Sequence, residues 1–293
     1  MLLLVLLAVP LIASVPLHKE IVRAQPNSTF DEHLARGSMY VVVSASYAQK
    51  PQRCMTNTQL GEVDKIVEVP CDFLDSDVCH AYTGISHSEK AIFVAFRGTV
   101  GTTQLIVEFA ETIFAEMSDF ASGGKTAKYF DNAFTLLWTG GIKESIQRLL
   151  RENPDYKVWV TGHSLGATLA SLCASYMSYT QVVPPSQLML YTYGQPRTGD
   201  RAYAQAEEAL VPNTFRITHD RDALVHVPFT FMNYYHHPTE IYYANNMSIG
   251  APYTTCTVSE SLQCSDGHPD LSVNDHFMYY GKHVSVYGES GCR

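Results

Sequence analysis

The segment Gly162-His163-Ser164-Leu165-Gly166 contains the pattern Gly-x-Ser-x-Gly, in which a serine hydroxyl can act as a nucleophile. Residues 157–160 before it read as a short buried strand, and residues 165–177 after it read as a buried helix. In such a strand–serine–helix turn the serine is strained, and its neighbours must be glycine because a Cβ would clash with the opposing backbone. The following helix directs its N-terminal amides at negative charge that forms beside the serine. The pattern therefore predicts a nucleophile elbow at Ser164.

A serine hydroxyl is a weak nucleophile near neutral pH, so it needs an imidazole base and a carboxylate that orients that base. With this type of elbow, the acid and then the base follow the serine along the chain. Asp220 and Asp222 are both candidate acids after a predicted strand at 214–219, and spacing does not separate them, since residues two apart in an extended chain face the same way. Sequence order also leaves six histidines open as the base: His226, His236, His237, His268, His276 and His283.

The elements that must position these residues alternate between strand and helix. An apolar run at 91–96 reads as a central strand that ends at Arg97-Gly98-Thr99. Further strands are predicted at 187–193, 214–219 and 240–243, a helix or helix pair at 30–47, and further helices at 142–153 and 201–210. The alternation predicts an α/β fold with a mainly parallel sheet and helices on both faces. Because ligands bind beyond the carboxyl ends of such strands, we expect the loops of Thr99, Ser164 and Asp222 to converge at one edge.

Four motifs in this order carry a family resemblance: Phe96-Arg97-Gly98-Thr99, Gly162-His163-Ser164-Leu165-Gly166, Tyr193-Gly194-Gln195-Pro196-Arg197 and Asp275-His276-Phe277. Together they resemble the class 3 (fungal-type) triacylglycerol lipase family over about residues 44–281. The resemblance implies an α/β-hydrolase fold and a secreted, animal-type member of that family.

The resemblance also assigns the site residues. In the family the acid opens an Asp-x-x-x-His-x-Pro stretch, which here begins at Asp222, and the base lies in an Asp-His pair before an aromatic-Gly, which selects His276. The oxyanion hole is expected to use the Leu165 N–H, directly after the nucleophile, and by resemblance Thr99, whose hydroxyl adds a further donor. Arg97 is expected to be structural, and His163 is expected to pack below the turn.

By resemblance, the segment between Thr99 and Phe120 is a lid over the cleft. Apolar residues here recur at roughly helical spacing among glutamates, with Leu105, Ile106 and Phe109 as the predicted substrate-facing side chains. An ordinary amphipathic core helix would show the same pattern, so both interpretations stay open. The His-x-Gly-Phe stretch that often follows the lid in the family is absent, so the preferred acyl length is not implied.

Length and composition favour one large domain. The chain has 293 residues, 46% apolar and 17% charged, without repeats. Residues 2–12 are apolar but too few to span a bilayer, and small residues follow them, so we predict a signal peptide at 1–15 and one α/β-hydrolase domain at 16–293. The alternative interpretation of the apolar segment is a signal anchor. The net charge of −9, without a basic stretch, argues against nucleic acid as a partner.

The seven cysteines are an odd number, so at least one is unpaired. Cys173 lies in the predicted elbow helix and is expected to be a buried thiol. Location and loop size predict three disulfides in a secreted protein: Cys256–Cys264, Cys71–Cys79 and Cys54–Cys292. Asn27 and Asn246 begin glycosylation acceptor motifs, and no cysteine or histidine cluster has zinc spacing.

The sequence thus predicts a secreted serine carboxylester hydrolase that acts on glycerolipid esters at an oil–water interface, without a metal or another cofactor. Ser164 attacks the ester carbonyl, His276 takes and returns the proton, and Asp222 orients His276. The alternatives are an esterase for shorter or aryl esters, a phospholipase with the same triad, or a catalytically silent lipid-binding protein on the same fold.

Overall fold

The computed structural model describes residues 29–71, 78–99, 114–268 and 270–293. The predicted signal peptide (1–15), the acceptor Asn27 and the predicted lid side chains Leu105, Ile106 and Phe109 lie outside the described residues.

Twelve strands occur among the described residues: β1 (Glu62–Pro70), β2 (Val78–Ser86), β3 (Ala91–Phe96), β4 (Met117–Asp119), β5 (Lys125–Ala127), β6 (Lys157–His163), β7 (Leu188–Tyr193), β8 (Thr214–His219), β9 (Glu240–Tyr243), β10 (Thr254–Cys256), β11 (Met278–Tyr279) and β12 (Lys282–His283). Within this part of the chain, eight of them form one sheet in the order β1-β2-β3-β6-β7-β8-β9-β10. The pairs from β3 through β9 are parallel, whereas β1, β2 and β10 pair antiparallel at the edges. The sheet is therefore mainly parallel, as predicted.

Helices cover both faces of the sheet. The α-helices in the described ranges are α1 (Glu32–Leu34), α2 (Tyr40–Ala45), α3 (Gln52–Thr58), α4 (Lys128–Leu137), α5 (Lys143–Glu152), α6 (Leu165–Tyr179), α7 (Arg201–Leu210), α8 (Val273–Phe277) and α9 (Val284–Glu289). π-Helical turns occur at Ala35–Met39 and Trp138–Ile142, and 3-10 turns at Leu224–His226, Thr230–Met232 and Ser265–Gly267.

The side chains of β3 divide between two hydrophobic cores, because alternate residues of a strand point to opposite faces. Ile92, Val94 and Phe96 pack on one face with the elbow helix α6 and with α4. Phe93 and Ala95 pack on the other face with α2 and α9. The sheet is thus buried on both sides, as expected for parallel strands that read as continuous apolar runs.

Two predicted elements take a more detailed form in the structure. The helix or helix pair predicted at 30–47 consists of α1 and α2, joined by the π-helical turn Ala35–Met39, which contains Gly37 and Ser38, both weaker helix formers than alanine. The strand before the nucleophile continues to His163, so this side chain belongs to β6 and is buried under the sheet edge.

The three predicted disulfides are confirmed. Cys256–Cys264 and Cys71–Cys79 close short loops, whereas Cys54–Cys292 joins positions separated by 238 residues. Cys173 is a free, buried thiol, as predicted. Within the described ranges, no helix is both long and apolar enough to cross a membrane.

Candidate active site

Ser164 lies at the sharp turn between β6 and α6. Its backbone has φ 58° and ψ −132°, a sparsely populated conformation for a residue with a Cβ. The Ser164 N–H donates to the Tyr193 carbonyl at 3.0 Å, and the Ser164 carbonyl accepts from the Ala167 N–H at 2.9 Å. A side chain at Gly162 would not fit, since its Cβ would lie 2.1 Å from the Gly166 carbonyl oxygen. The elbow geometry and its need for glycine are therefore as predicted.

The loop after β3 runs directly past the serine. A Cβ on Gly98 would lie 3.1 Å from the Ser164 Cβ, so this backbone approaches the nucleophile closely. Thr99 follows Gly98 and is half-buried. The Leu165 N–H belongs to the first turn of α6, where backbone amides have no partner within the helix. The Arg97 guanidinium donates a hydrogen bond to the Val78 carbonyl at 2.7 Å, which agrees with a structural role.

Asp222 and His276 are in contact although they are 54 residues apart in the chain. The His276 Nδ1 lies 2.9 Å from each oxygen of the Asp222 carboxylate. Both side chains are fully buried, at 0% and 1% exposure. A ring nitrogen held in this way by a carboxylate fixes the tautomer of the imidazole and directs Nε2 away from the acid.

The Asp222 carboxylate has two further donors. The Leu224 N–H donates to Oδ1 at 2.9 Å, and the Tyr279 hydroxyl donates to Oδ2 at 3.0 Å. Burial acts to raise the pKa of the Asp222 carboxyl, but the charge and hydrogen bond of His276, with the Leu224 N–H, outweigh it, so the pKa lies below its ordinary value. Asp222 is therefore ionised near neutral pH.

The structure separates the two candidate acids. Asp220 has a positive φ of 42° and a side chain that is 37% exposed beside Arg221. It lies at the surface, whereas Asp222 faces the imidazole of His276. Of the other candidate histidines, His226 lies 3.4 Å from the Asp266 carboxylate, and His236 is buried with Nε2 2.8 Å from the Val225 carbonyl.

Backbone contacts hold the acid loop against the turn that carries the base. The Ala223 N–H donates to the Ser272 carbonyl at 3.2 Å, and the Ser272 N–H donates to the Arg221 carbonyl at 2.6 Å. His219 Nδ1 lies 3.0 Å from the Asp275 carbonyl, directly before His276. The separation between acid and base thus depends on several short contacts and not on one side-chain pair alone.

Sequence reasoning did not assign a role to Gly194, which lies in a quoted motif, or to Tyr279, which lies two residues beyond another. A Cβ on Gly194 would lie 2.8 Å from Asp222 Oδ2 and 2.9 Å from His276 Cε1. The absence of a side chain at Gly194 therefore makes room for the acid–base pair. The Gly-Gln-Pro stretch after β7 was the signal that could have pointed to this position.

The nucleophilic oxygen of Ser164 and the ring nitrogen of His276 that does not face Asp222 are both buried. Neither atom, Ser164 Oγ or His276 Nε2, forms a hydrogen bond with another described residue. Among the residues that the structure describes, no group of three or more His, Cys, Asp or Glu is placed to hold a metal ion. A strained serine, an imidazole that packs against His163 directly before that serine, and a carboxylate bound to that imidazole are residue types that nucleophilic acyl transfer uses.

Comparison with known proteins places the chain in one family. The class 3 lipase family matches residues 93–232. A lipase of Caenorhabditis elegans is 31% identical over 255 residues, which cover 76% of this chain and 71% of that relative. The lipase of Rhizomucor miehei is 32% identical over 200 residues, or 66% of this chain and 53% of that protein. The chain belongs to the class 3 lipase family.

Solved structures share the fold. A triacylglycerol lipase whose catalytic centre is described as a serine protease triad superposes with a TM-score of 0.76 at 26% identity, covering 88% of this chain and 98% of that one. The lipase of Rhizopus microsporus var. chinensis gives a TM-score of 0.75 at 25% identity, covering 92% and 96%. These similarities confirm the predicted α/β-hydrolase fold.

Proposed function

We propose that this protein is a secreted serine carboxylester hydrolase that cleaves glycerolipid esters of the triacylglycerol type. The observation that carries the proposal is the Asp222–His276 contact of 2.9 Å in the same protein as the strained elbow serine, Ser164. Similar proteins include a triacylglycerol lipase and a secreted mono- and diacylglycerol lipase of Penicillium cyclopium, 31% identical over 209 residues that cover 70% of this chain and 64% of the relative.

In the proposed reaction the Ser164 hydroxyl attacks the ester carbonyl while His276 Nε2 accepts its proton. The Leu165 N–H, with the N–H and hydroxyl of Thr99, stabilises the negative oxygen of the tetrahedral intermediate. His276 then returns the proton to the leaving alcohol, which produces an acyl-enzyme. Water, activated by the same imidazole, releases the fatty acid. Asp222 keeps the imidazole oriented and stabilises its charged form.

Secretion is supported by the predicted signal peptide at 1–15 and by three disulfides, which persist in oxidising compartments. The lid assignment of Leu105, Ile106 and Phe109 remains part of the proposal. The esterase and phospholipase alternatives would use the same residues and differ in the cleft. The silent lipid-binding alternative is opposed by the arrangement of Asp222 and His276 beside the elbow.

The test is labelling of the purified protein by a serine-reactive phosphonate, together with hydrolysis of emulsified triacylglycerol and of a soluble short-chain ester. Replacing Ser164 or His276 by Ala should lower kcat by on the order of 10⁶-fold, and the Ser164→Ala protein should no longer be labelled. Asp222→Asn should lower kcat by about 10⁴-fold, because the amide supports the wrong imidazole tautomer.

Asp220→Asn is the matched control for Asp222→Asn and should keep nearly full activity, since Asp220 lies at the surface. A large loss in Asp220→Asn with little loss in Asp222→Asn would contradict the assignment of the acid. Absence of labelling and of hydrolysis in the unmodified protein would favour the silent lipid-binding protein. Hydrolysis of the soluble ester without hydrolysis of triacylglycerol would favour the esterase.

A further inference from the structure

We propose that His163 and Tyr47 are positioning residues that hold the oxyanion loop, the elbow and the turn bearing His276 in one fixed arrangement. This inference rests on the proposed hydrolase function, because it concerns how the nucleophile and base of that function are aligned. Neither side chain would touch the substrate. Both would act by positioning the oxyanion loop, Ser164 and His276, which do contact it.

His163 connects the elbow to the backbone of the base. It is 1% exposed, and its Nε2 lies 2.7 Å from the carbonyl oxygen of His276. Its Nδ1 lies 2.7 Å from the Tyr47 hydroxyl. Because a carbonyl oxygen only accepts, Nε2 must carry the proton and donate to His276. Nδ1 then accepts from the Tyr47 hydroxyl, so the two contacts together define a single neutral tautomer.

The His163 ring also lies beneath the ring of the base. The two imidazole centroids are 4.5 Å apart, with an angle of 34° between the ring planes. Burial and then the charge of His276 lower the pKa of His163 to about 3, while Asp222 acts in the opposite direction and His283 in the same one. His163 therefore stays neutral when His276 gains its proton, and no second positive charge opposes that step.

Tyr47 extends the connection to the oxyanion loop. A Cβ on Gly98 would lie 2.6 Å from the Tyr47 hydroxyl oxygen and 2.6 Å from the His163 carbonyl oxygen. Burial raises the pKa of Tyr47 above its ordinary value, and a hydrogen bond from the Gly98 backbone acts against that rise. The hydroxyl thus lies between the loop that precedes Thr99 and the ring of His163.

These contacts span the three segments whose relative placement fixes the reacting geometry. Gly98 precedes Thr99, His163 precedes Ser164, and the carbonyl bound by His163 belongs to His276 itself. Misplacement of a reacting group by about 1 Å can cost on the order of 10²-fold in rate. Loss of the His163 hydrogen bonds should therefore appear in kcat more than in KM.

The experiment compares two substitutions of His163 with opposite properties. His163→Gln keeps an amide N–H donor and a carbonyl acceptor but loses the ring. His163→Phe keeps a ring of similar volume but loses both hydrogen bonds. With a soluble short-chain ester, we expect His163→Gln to retain kcat within about 10-fold of the unmodified enzyme, and His163→Phe to lose on the order of 10²-fold with little change in KM. The apparent pKa read from the pH profile of kcat should shift in His163→Phe and stay unchanged in His163→Gln.

Tyr47→Phe provides a second, smaller perturbation, and Tyr82→Phe is its matched control. Tyr82 is a buried tyrosine on β2, which β3 separates from β6, and its hydroxyl donates to the Val42 carbonyl at 2.6 Å. We expect Tyr47→Phe to lower kcat by about 10-fold and Tyr82→Phe to leave it unchanged. This pair decides the question even if His163→Phe does not fold.

The outcomes separate this inference from the function on which it rests. Hydrolysis that survives Ser164→Ala contradicts the proposed function and the positioning role together. Hydrolysis that depends on Ser164, with equal kcat in His163→Phe and His163→Gln or in Tyr47→Phe and Tyr82→Phe, overturns the positioning role alone.

Discussion

The backbone at Gly194 approaches the acid–base pair closely. Its φ is +57°, and a Cβ there would lie within 3 Å of both Asp222 and His276. Alanine at this position would force the two side chains apart. We expect Gly194→Ala to lower kcat by on the order of 10²-fold, because the displacement changes the direction of the imidazole. The measurement is kcat on a soluble ester, with circular dichroism to confirm folding.

Gly250 provides a matched control for that substitution. Its φ of +78° imposes a similar backbone cost on alanine, but a Cβ there would have no neighbour within 4 Å among the described residues. Gly250→Ala should therefore lose some stability and keep its kcat. Equal losses of kcat in both variants would show that backbone strain, and not contact with the acid–base pair, explains the effect.

The individual residues show how far a sequence leads towards a site. Ser164 could be predicted because the elbow depends on neighbours within a few residues. Choosing Asp222 over Asp220 needed a family resemblance, since both follow the same strand and only tertiary contact distinguishes them. The approach of Tyr47 to His163 spans 116 positions, and no local pattern encodes it.

The strands also differ in how well the sequence predicts them. The central strands β3, β6 and β7 were predicted because burial on both faces leaves apolar runs in their sequences. β1 was missed because it lies at the sheet edge, where most of its side chains are exposed and no apolar pattern marks it. β2 is buried but contains His80 and Gly84, which weaken a pattern-based prediction.

A buried arginine holds the loop that follows the acid. Arg197 is 4% exposed, and its guanidinium donates to the Pro228 carbonyl at 3.2 Å. The same guanidinium binds Glu260 at 2.6 Å and Asp266 at 2.9 Å. The planar group with its fixed fork of donors thus joins the loop after Asp222 to the loop closed by the Cys256–Cys264 disulfide.

The loop held by Arg197 continues into an exposed aromatic turn. Phe229 and Phe231 stack with ring centroids 5.2 Å apart, and they are 47% and 84% exposed. When a lipid surface removes exposed apolar rings from water, the free energy of the system falls, so such rings favour binding to that surface. We expect the double variant Phe229→Ser, Phe231→Ser to bind triacylglycerol emulsion several-fold more weakly, as measured by sedimentation with the droplets, and to keep its kcat on a soluble ester.

Val286→Ser is the control for the aromatic turn. Val286 is 57% exposed on α9, whose buried residues belong to the core shared with α2. It should leave emulsion binding unchanged. Equal binding by the double variant and the unmodified protein would show that Phe229 and Phe231 do not contact the lipid surface.

The Cys54–Cys292 disulfide ties helix α3 to the segment that follows α9. It closes a loop of 238 positions, whereas Cys256–Cys264 closes one of 8. In the chain-entropy account, the long loop restricts the unfolded chain far more and stabilises the fold by about 5.5 kcal/mol, against about 2.5 kcal/mol for the short one. Urea unfolding of the two double-alanine variants should therefore show the larger loss for Cys54/Cys292. Equal losses would contradict the entropic explanation.

Buried histidines couple the stability of the fold to pH. Burial lowers the pKa of His80 to about 4, with Arg97 acting in the same direction. Burial also lowers the pKa of His163 to about 3, and that of His236 well below its ordinary value. An unfolded histidine has a pKa of about 6.5, so below that pH the unfolded chain binds protons that the folded chain excludes. Stability is thus unaffected above pH ~6.5 and falls as the pH drops towards the folded-state values.

The free energy of unfolding should therefore decline between pH 6.5 and 5, before the carboxylates titrate. At pH 5 His80 and His163 should each cost about 2 kcal/mol, or about 4 kcal/mol together, since each pKa unit corresponds to about 1.4 kcal/mol, and His236 should add to the loss in the same direction. Urea unfolding at intervals across this range measures the decline. His80→Leu removes one of these proton-binding groups and should therefore make the dependence of the free energy of unfolding on pH less steep. A free energy of unfolding that stays constant from pH 7 to 5 would mean that these histidines are protonated inside the fold.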